Sequence, residues 1–260
     1  MSITLRTVSV ATTHPGLVRR VNEDRYAERA ADGLWVVADG MGGHAFGDWA
    51  AHAVVQAIES VAVPSSFDAA VQAVADGVHS ANRRIWAESQ RRGQQMGSTV
   101  VVLLVCGDRF AVLWVGDSRG YLLRDRMLVP LTRDHSQVQE MVDRGLIAPE
   151  DAADHPRGHV LARAVGVGAR IAVDVVTDTA EPGDRFLLCS DGLSGQVTDP
   201  ELTVMLALPL PSDAIEALVA RALERGAPDN VTAVLVGVQE TTRLDLVPVP
   251  APGPAGDGRP

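Results

Sequence analysis

The sequence predicts an α+β fold in four layers (αββα), with two antiparallel β-sheets packed face to face and helix pairs on both outer faces. Three observations predict it. Apolar runs are joined by short turns, so strand meets strand through hairpins. Helical periodicities follow one another instead of alternating with strands, which argues against the βαβ pattern of a parallel sheet. Several strands are apolar at every position, and such strands need cover on both faces.

The elements follow in order. Residues 3–11 alternate apolar and polar and read as a strand; residues 34–38 read as a second, after a turn at Asp32-Gly33. From Ala45 to Val63, Trp49, Ala53, Ala57 and Val61 and the row Ala50, Val54, Ile58 have i, i+4 spacing, which is a helix ended by Pro64. Ser65 to Asp68 has the Ser-x-x-acid form of a helix start, and Val71, Val74, Val78, Ala81 and Ile85 continue on one face. Residues 98–106 (STVVVLLVC) form a strand buried on both faces, and Gly107-Asp108 turns it into RFAVLWVGD. YLLRD and RMLVPL make a further hairpin. Residues 136–144 read as helix, 145–170 as irregular, 171–177 and 185–189 as strands, 212–225 as a helix stopped by Gly226, and 231–238 as the last strand.

A hydrophobic content of 46% over 260 residues supports a sizeable core. The net charge is −10 and every basic residue is Arg. That balance argues against non-specific binding to nucleic acid or anionic membrane, both of which need basic surface. Cys106 and Cys189 sit in apolar runs and read as buried, reduced thiols, which suits a cytoplasmic protein. The N-terminus lacks the apolar centre of a signal peptide, and no run is apolar enough to cross a membrane. Residues 241–260 hold a Pro- and Gly-rich run and are expected to form a flexible tail, which leaves residues 1–240 as one domain, expected to be a monomer.

One pattern is chemical. LWVVADG ends in Asp39, AVLWVGDSR in Asp117 and FLLCSDG in Asp191, each carboxylate at the end of an apolar strand and beside Gly. Asp229 instead begins one, in GAPDNVTAVLV. In antiparallel sheets the start of one strand lies at the same edge as the end of its neighbour, so all four carboxylates are placed to share a rim. Asp-Gly pairs are also ordinary turn formers, but four such transitions point to a shared site. Converging carboxylates stay ionised only beside cations. Oxygen ligands without Cys or paired His favour Mg²⁺ or Mn²⁺ over structural Zn²⁺. Gly40 lets a carbonyl or water approach, and Arg19 and Arg20, in LVRRVNED, offer a bidentate group for phosphate.

In sequence, LVRRVNED, WVVADGMGGHAFGDWAA, GSTVV, VGDSRGYLLRD, LTRDHSQVQEMVDRGLI, HPRGHVLARAVG, LLCSDGLSGQV and GAPDNVTAVLV resemble bacterial members of the metal-dependent protein phosphatase family, protein phosphatase type 2C. The resemblance spans about residues 4 to 238. It implies the same αββα sandwich and a phosphoserine/phosphothreonine phosphatase. By motif, Asp39 would bridge two ions (Mn²⁺ or Mg²⁺) and Gly40 would offer its carbonyl. Asp191 and Asp229 would hold the second ion, and Asp117 with Asp191 the weaker third ion described for bacterial members. Arg19, not Arg20, would bind phosphate. Glu23, Asp24 and Asn230 would lie just outside the ligands, the two acids holding metal-bound waters. Residues 134–165 would form a flap beside the site. Asp48 stands where bacterial members usually have Glu, and Gly158-His159 replaces the usual Arg-Asn pair of the flap.

The expected reaction is direct in-line attack on phosphorus by a hydroxide bridging the two ions, with Arg19 and the ions dispersing phosphoryl charge. His44 is a candidate general acid; the competing reading is a histidine that orders the Gly-rich turn. Expected partners are phosphoproteins and, by resemblance, a Ser/Thr protein kinase whose action is opposed. The alternative is a pseudophosphatase that binds phosphoproteins without cleaving them, which normally lacks a ligand; here every matched acid is present.

Overall fold

Period-two alternation decides which layer each strand residue enters. In the strand Leu34–Met41, Leu34, Val36 and Ala38 pack with Ala50, Val54, Ile58, Val74 and Val78 of two helices. Trp35 and Val37, one residue out of phase, pack instead with Phe186, Leu188, Val234 and Val236 of the opposing sheet. A third cluster joins Leu187, Cys189, Ala233 and Leu235 to Leu202, Leu206, Leu218 and Ala222. Three apolar layers between four layers of structure are the predicted αββα sandwich.

The computed structural model describes residues 5–43, 45–148, 151, 155 and 160–241. The strands are β1 Leu5–His14, β2 Asp24–Arg29, β3 Leu34–Met41, β4 Gly97–Ser98, β5 Val100–Cys106, β6 Arg109–Val115, β7 Arg119–Arg124, β8 Met127–Pro130, β9 Asp174–Thr179, β10 Arg185–Cys189 and β11 Val231–Glu240. The helices are α1 Ala45–Glu59, α2 Phe67–Arg92, α3 Gln137–Asp143, α4 Asp191–Ser194, α5 Asp199–Leu206 and α6 Pro211–Glu224. One sheet has the order β1-β11-β10-β7-β8 and the other β2-β3-β5-β6-β9, with β4 beside the end of β3. Every pair is antiparallel. In the register of β1 with β11, His14 faces Val231 and Leu5 faces Glu240. Across the sandwich Phe110 meets Phe186 edge to face, ring centroids 4.7 Å apart.

Several boundaries differ from the sequence reading. Helix α1 stops at Glu59, before Pro64, because the Arg29 guanidinium donates to the carbonyls of Ile58, Glu59 and Val61 at 3.3, 3.0 and 2.6 Å. A residue from another element caps this helix, and local periodicity does not report it. Helix α2 starts one residue later than expected, with Ser66 at its N-cap, and runs on to Arg92, where Gly93 turns left-handed at φ 63°. Strand β9 begins at Asp174 instead of residue 171, since Ile171 and Val173 pack on the helical layer. Cys189 is fully buried as expected, but Cys106 at the strand's end is only half-buried. Strand β2 and helices α4 and α5 are additional.

Helix α5 carries its own start signal. The backbone N–H and hydroxyl of Thr198 both donate to the Glu201 carboxylate, at 3.0 and 2.9 Å. Arg225 adds two bonds of 2.8 Å to that carboxylate. These partners hold the Glu201 carboxyl down at about 2. Glu201→Ala removes all four bonds, and a drop of a few degrees in melting temperature is expected by calorimetry.

Candidate metal centre

The topology brings the predicted acids to one edge. Strands β3 and β6 run the same way, so Asp39 and Asp117 emerge together, and β2 starts there with Asp24 in register opposite Asp39. In the other sheet β10 ends where antiparallel β11 begins, which sets Asp191 beside Asp229. Two details correct the sequence reading. Asp39 lies within β3, which continues to Met41 by pairing with β4. Asp191 is the first residue of α4, since the chain turns into helix directly after Ser190.

The glycines around these acids answer to space. A Cβ on Gly40 would stand 2.1 Å from the Gly47 carbonyl oxygen and 2.8 Å from that of Glu23. One on Gly192 would stand 1.9 Å from the Asn230 carbonyl oxygen. Backbone segments therefore close on each other at the rim with no room for a side chain.

Hydrogen bonds hold the acid-bearing segments. Asp39 donates its N–H to Thr99 Oγ1 at 3.0 Å, and its carbonyl accepts from the Thr99 N–H at 2.8 Å and Ser98 Oγ at 3.0 Å. Thr99 Oγ1 also shares a 2.7 Å bond with Ser118 Oγ, next to Asp117. Ser190 donates to Asp24 Oδ2 at 2.8 Å, joining the two sheets. Asn230 uses its whole amide: Oδ1 accepts from the Glu23 N–H at 2.8 Å, and Nδ2 donates to the carbonyls of Pro15 and Val21 at 2.9 and 3.0 Å. It thereby fastens the loop that carries Arg19. Thr99, Ser118 and Ser190 are absent from the sequence-derived site. Ser118 and Ser190 each lie next to a site acid in the chain, and Thr99, between β4 and β5, meets Asp39 only through strand order.

Arg19 and Arg20 are both exposed, and Arg19 Nη2 donates to Asp229 Oδ2 at 2.7 Å. His44, the Gly158-His159 pair and nearly all of the 241–260 tail lie outside the described residues.

The electrostatics show crowding. Burial first, then the charges of Asp24, Asp191, Asp117 and Asp229, push the Asp39 carboxyl well above the usual carboxylate range. Burial also pushes Asp24 and Asp117 up to about 7, aided in both cases by Asp191. Asp24 Oδ1 is buried without a hydrogen-bond partner. Among the described residues no three acidic, His or Cys side chains form a ready-made cage around a point. The donors at the rim are carboxylate and carbonyl oxygens, the type that hard divalent ions take. The residues fit such an ion on charge, donor type and the unused buried oxygen.

A pH dependence follows. With folded pKa values near 7 for Asp24 and Asp117 against 3.8 as their ordinary value, the folded state holds extra protons between those limits. Stability in EDTA is expected to fall as pH rises from about 4 to about 7 on this account. Mn²⁺ should then raise the melting temperature more at pH 7.5 than at pH 5.5, as scanning fluorimetry would show.

Fold and edge together describe an αββα sandwich with a carboxylate-rich rim drawn from both sheets. The chain belongs to the protein phosphatase 2C family, whose model matches residues 18–237. It is 37% identical to the serine/threonine protein phosphatase PstP of Mycobacterium tuberculosis over 98% of this chain and 49% of that protein, so it spans about half the length of that relative. It is 34% identical to the serine/threonine phosphatase stp of Listeria monocytogenes, over 86% of this chain and 93% of that one. Among solved structures, the catalytic domain of PstP in complex with two manganese ions superposes with a TM-score of 0.81 at 36% identity, covering 91% of this chain and 100% of that one.

Proposed function

We propose that this chain is a Mn²⁺- or Mg²⁺-dependent protein serine/threonine phosphatase whose substrates are phosphoserine and phosphothreonine proteins. Residues 1–240 form the catalytic unit, with 134–165 as its flap. The single observation that carries this reading is the crowding of Asp24, Asp117, Asp191 and Asp229 around Asp39. Asp39, the Gly40 carbonyl, Asp191 and Asp229 would hold two ions, and Asp117 with Asp191 a third. Divalent ions bound there supply the Lewis acidity that makes water a nucleophile near neutral pH.

The chain's own groups do the rest. Arg19 binds the phosphoryl oxygens with a fork that stays charged at any relevant pH. Its present partner is no obstacle, because an ion pair 57% and 38% exposed is worth only about 0–1 kcal/mol. Asn230 keeps the Arg19 loop at the rim, and Glu23 and Asp24 order water beside the ligands. The new bond joins a water oxygen to phosphorus, the seryl or threonyl P–O bond breaks, and the leaving oxygen is protonated; His44 is the candidate donor. By the family resemblance, a Ser/Thr kinase acting on the same proteins is the activity opposed.

The test is phosphate release from phosphoserine and phosphothreonine peptides, with nucleotides in parallel, under Mn²⁺ and under EDTA. Mn²⁺-dependent cleavage of the peptides is expected, and Arg19→Ala should lower kcat/KM roughly 10- to 100-fold. Binding of phosphopeptide with no turnover would establish a pseudophosphatase instead.

A further inference from the structure

His135 is nine-tenths buried and lies outside the set of acids, yet it is bonded to the backbone of Gly116, the residue before Asp117. Its ring Nδ1 accepts from the Gly116 N–H at 3.0 Å, one residue before Asp117. Its own N–H returns to the Gly116 carbonyl at 2.9 Å. Because Nδ1 accepts, the ring is neutral with its proton on Nε2, which donates to Asp174 Oδ2 at 3.1 Å. Burial favours that neutral form. Asp174 Oδ1 in turn accepts from Arg163 at 2.7 Å.

The same residue closes the base of segment 134–165. The His135 carbonyl accepts from the N–H groups of Ala162 and Arg163, at 2.7 and 3.3 Å. Ser136 bridges Leu161, and the Gln137 N–H donates to Val160 at 2.8 Å. Trp114 stacks on the ring, centroids 6.0 Å apart.

We propose that His135 is a positioning residue for the Asp117 side of the site, fixing the Gly116–Asp117 turn against both ends of segment 134–165. This rests on the proposed metal-dependent reading of the rim. The ring sets where the Asp117 carboxylate stands, and it does so through a backbone amide. An acceptor at the Nδ1 position is therefore what matters. Asn places its Oδ1 there, whereas Gln reaches only the Nε2 position.

The experiment is Mn²⁺ titration calorimetry on the full chain, comparing wild type, Asp117→Asn, His135→Asn and His135→Gln, with melting temperatures measured alongside. His135→Gln is expected to weaken, about tenfold, the binding step that Asp117→Asn removes, and to leave the other steps in place. His135→Asn is expected to titrate like wild type. The proposal is overturned if His135→Gln titrates like wild type, if both variants lose affinity equally, or if no step depends on Asp117. A readout on wild type alone covers the case of a variant that does not fold. Saturating Mn²⁺ should slow hydrogen exchange at the Gly116 and His135 amides, and unchanged exchange there overturns the proposal. Phosphopeptide turnover is a separate measurement. A wild type that binds Mn²⁺ without turnover sinks the phosphatase reading and leaves the His135 comparison intact.

Discussion

Asp39→Asn is expected to remove metal-dependent phosphatase activity, by at least ~10³-fold, and at the same time to raise the melting temperature measured in EDTA. The two effects have one cause. Asp39 is half-buried and crowded by four other carboxylates, so its charge is a cost to the fold whenever no cation offsets it. Asn has the same shape, keeps an acceptor and carries no charge. Relief of about 1–2 kcal/mol corresponds to a gain of several degrees for a chain of this size. Mn²⁺, which should stabilise wild type, should then do little for the variant. Differential scanning calorimetry in EDTA and in Mn²⁺ measures all four values. A variant less stable than wild type in EDTA would mean that Asp39 serves the fold, contrary to the assignment.

Gly192→Ala is expected to fail in the opposite way, losing stability and activity together. The added Cβ would lie 1.9 Å from the Asn230 carbonyl oxygen and 2.9 Å from its carbon, both backbone atoms. Neither moves without moving the start of β11. Overpacking of this kind costs about 3 kcal/mol. The displaced residues are Asp191 and Asn230, so the ligand and the anchor of the Arg19 loop shift at once. Gly168→Ala is the control, since its nearest neighbour would be 3.4 Å away. Urea unfolding that puts both variants at the same midpoint would contradict the steric reading.

How far the sequence discloses these features depends on whether the cause is local. Asp39, Asp117, Asp191 and Asp229 are legible because an apolar run that meets a carboxylate at one end conflicts with burial, and the conflict shows in a few residues. Strand β2 is not legible. Its residues Asp24–Arg29, DRYAER, are mostly charged, and it is a strand because it pairs with β3 at a sheet edge. Asp24 and Glu23 entered through family resemblance for that reason. Helix α5 is short, and its start at Thr198 and Glu201 is a capping pattern that is visible once sought. The end of α1 depends on Arg29, thirty residues away in the chain. The roles of Ser190 and Thr99 depend on strand order, which one sequence does not contain. Positions of atoms around Asp117 belong to the same class, since His135 reaches Gly116 across 19 residues.

The register of β1 on β11 has a practical consequence. His14 and Val231 sit at the pole of the carboxylate rim, while Leu5 and Glu240 face each other at the far pole. A ten-residue strand separates the poles by roughly 30 Å. Cargo fused before Leu5 or after Glu240, whether a fluorescent protein, an immobilisation handle or a second enzyme, would emerge from the end remote from the chemistry. Joining those neighbouring ends with a short linker and reopening the chain at the Gly107-Asp108 turn is a reasonable route to a permuted version that keeps the rim undisturbed.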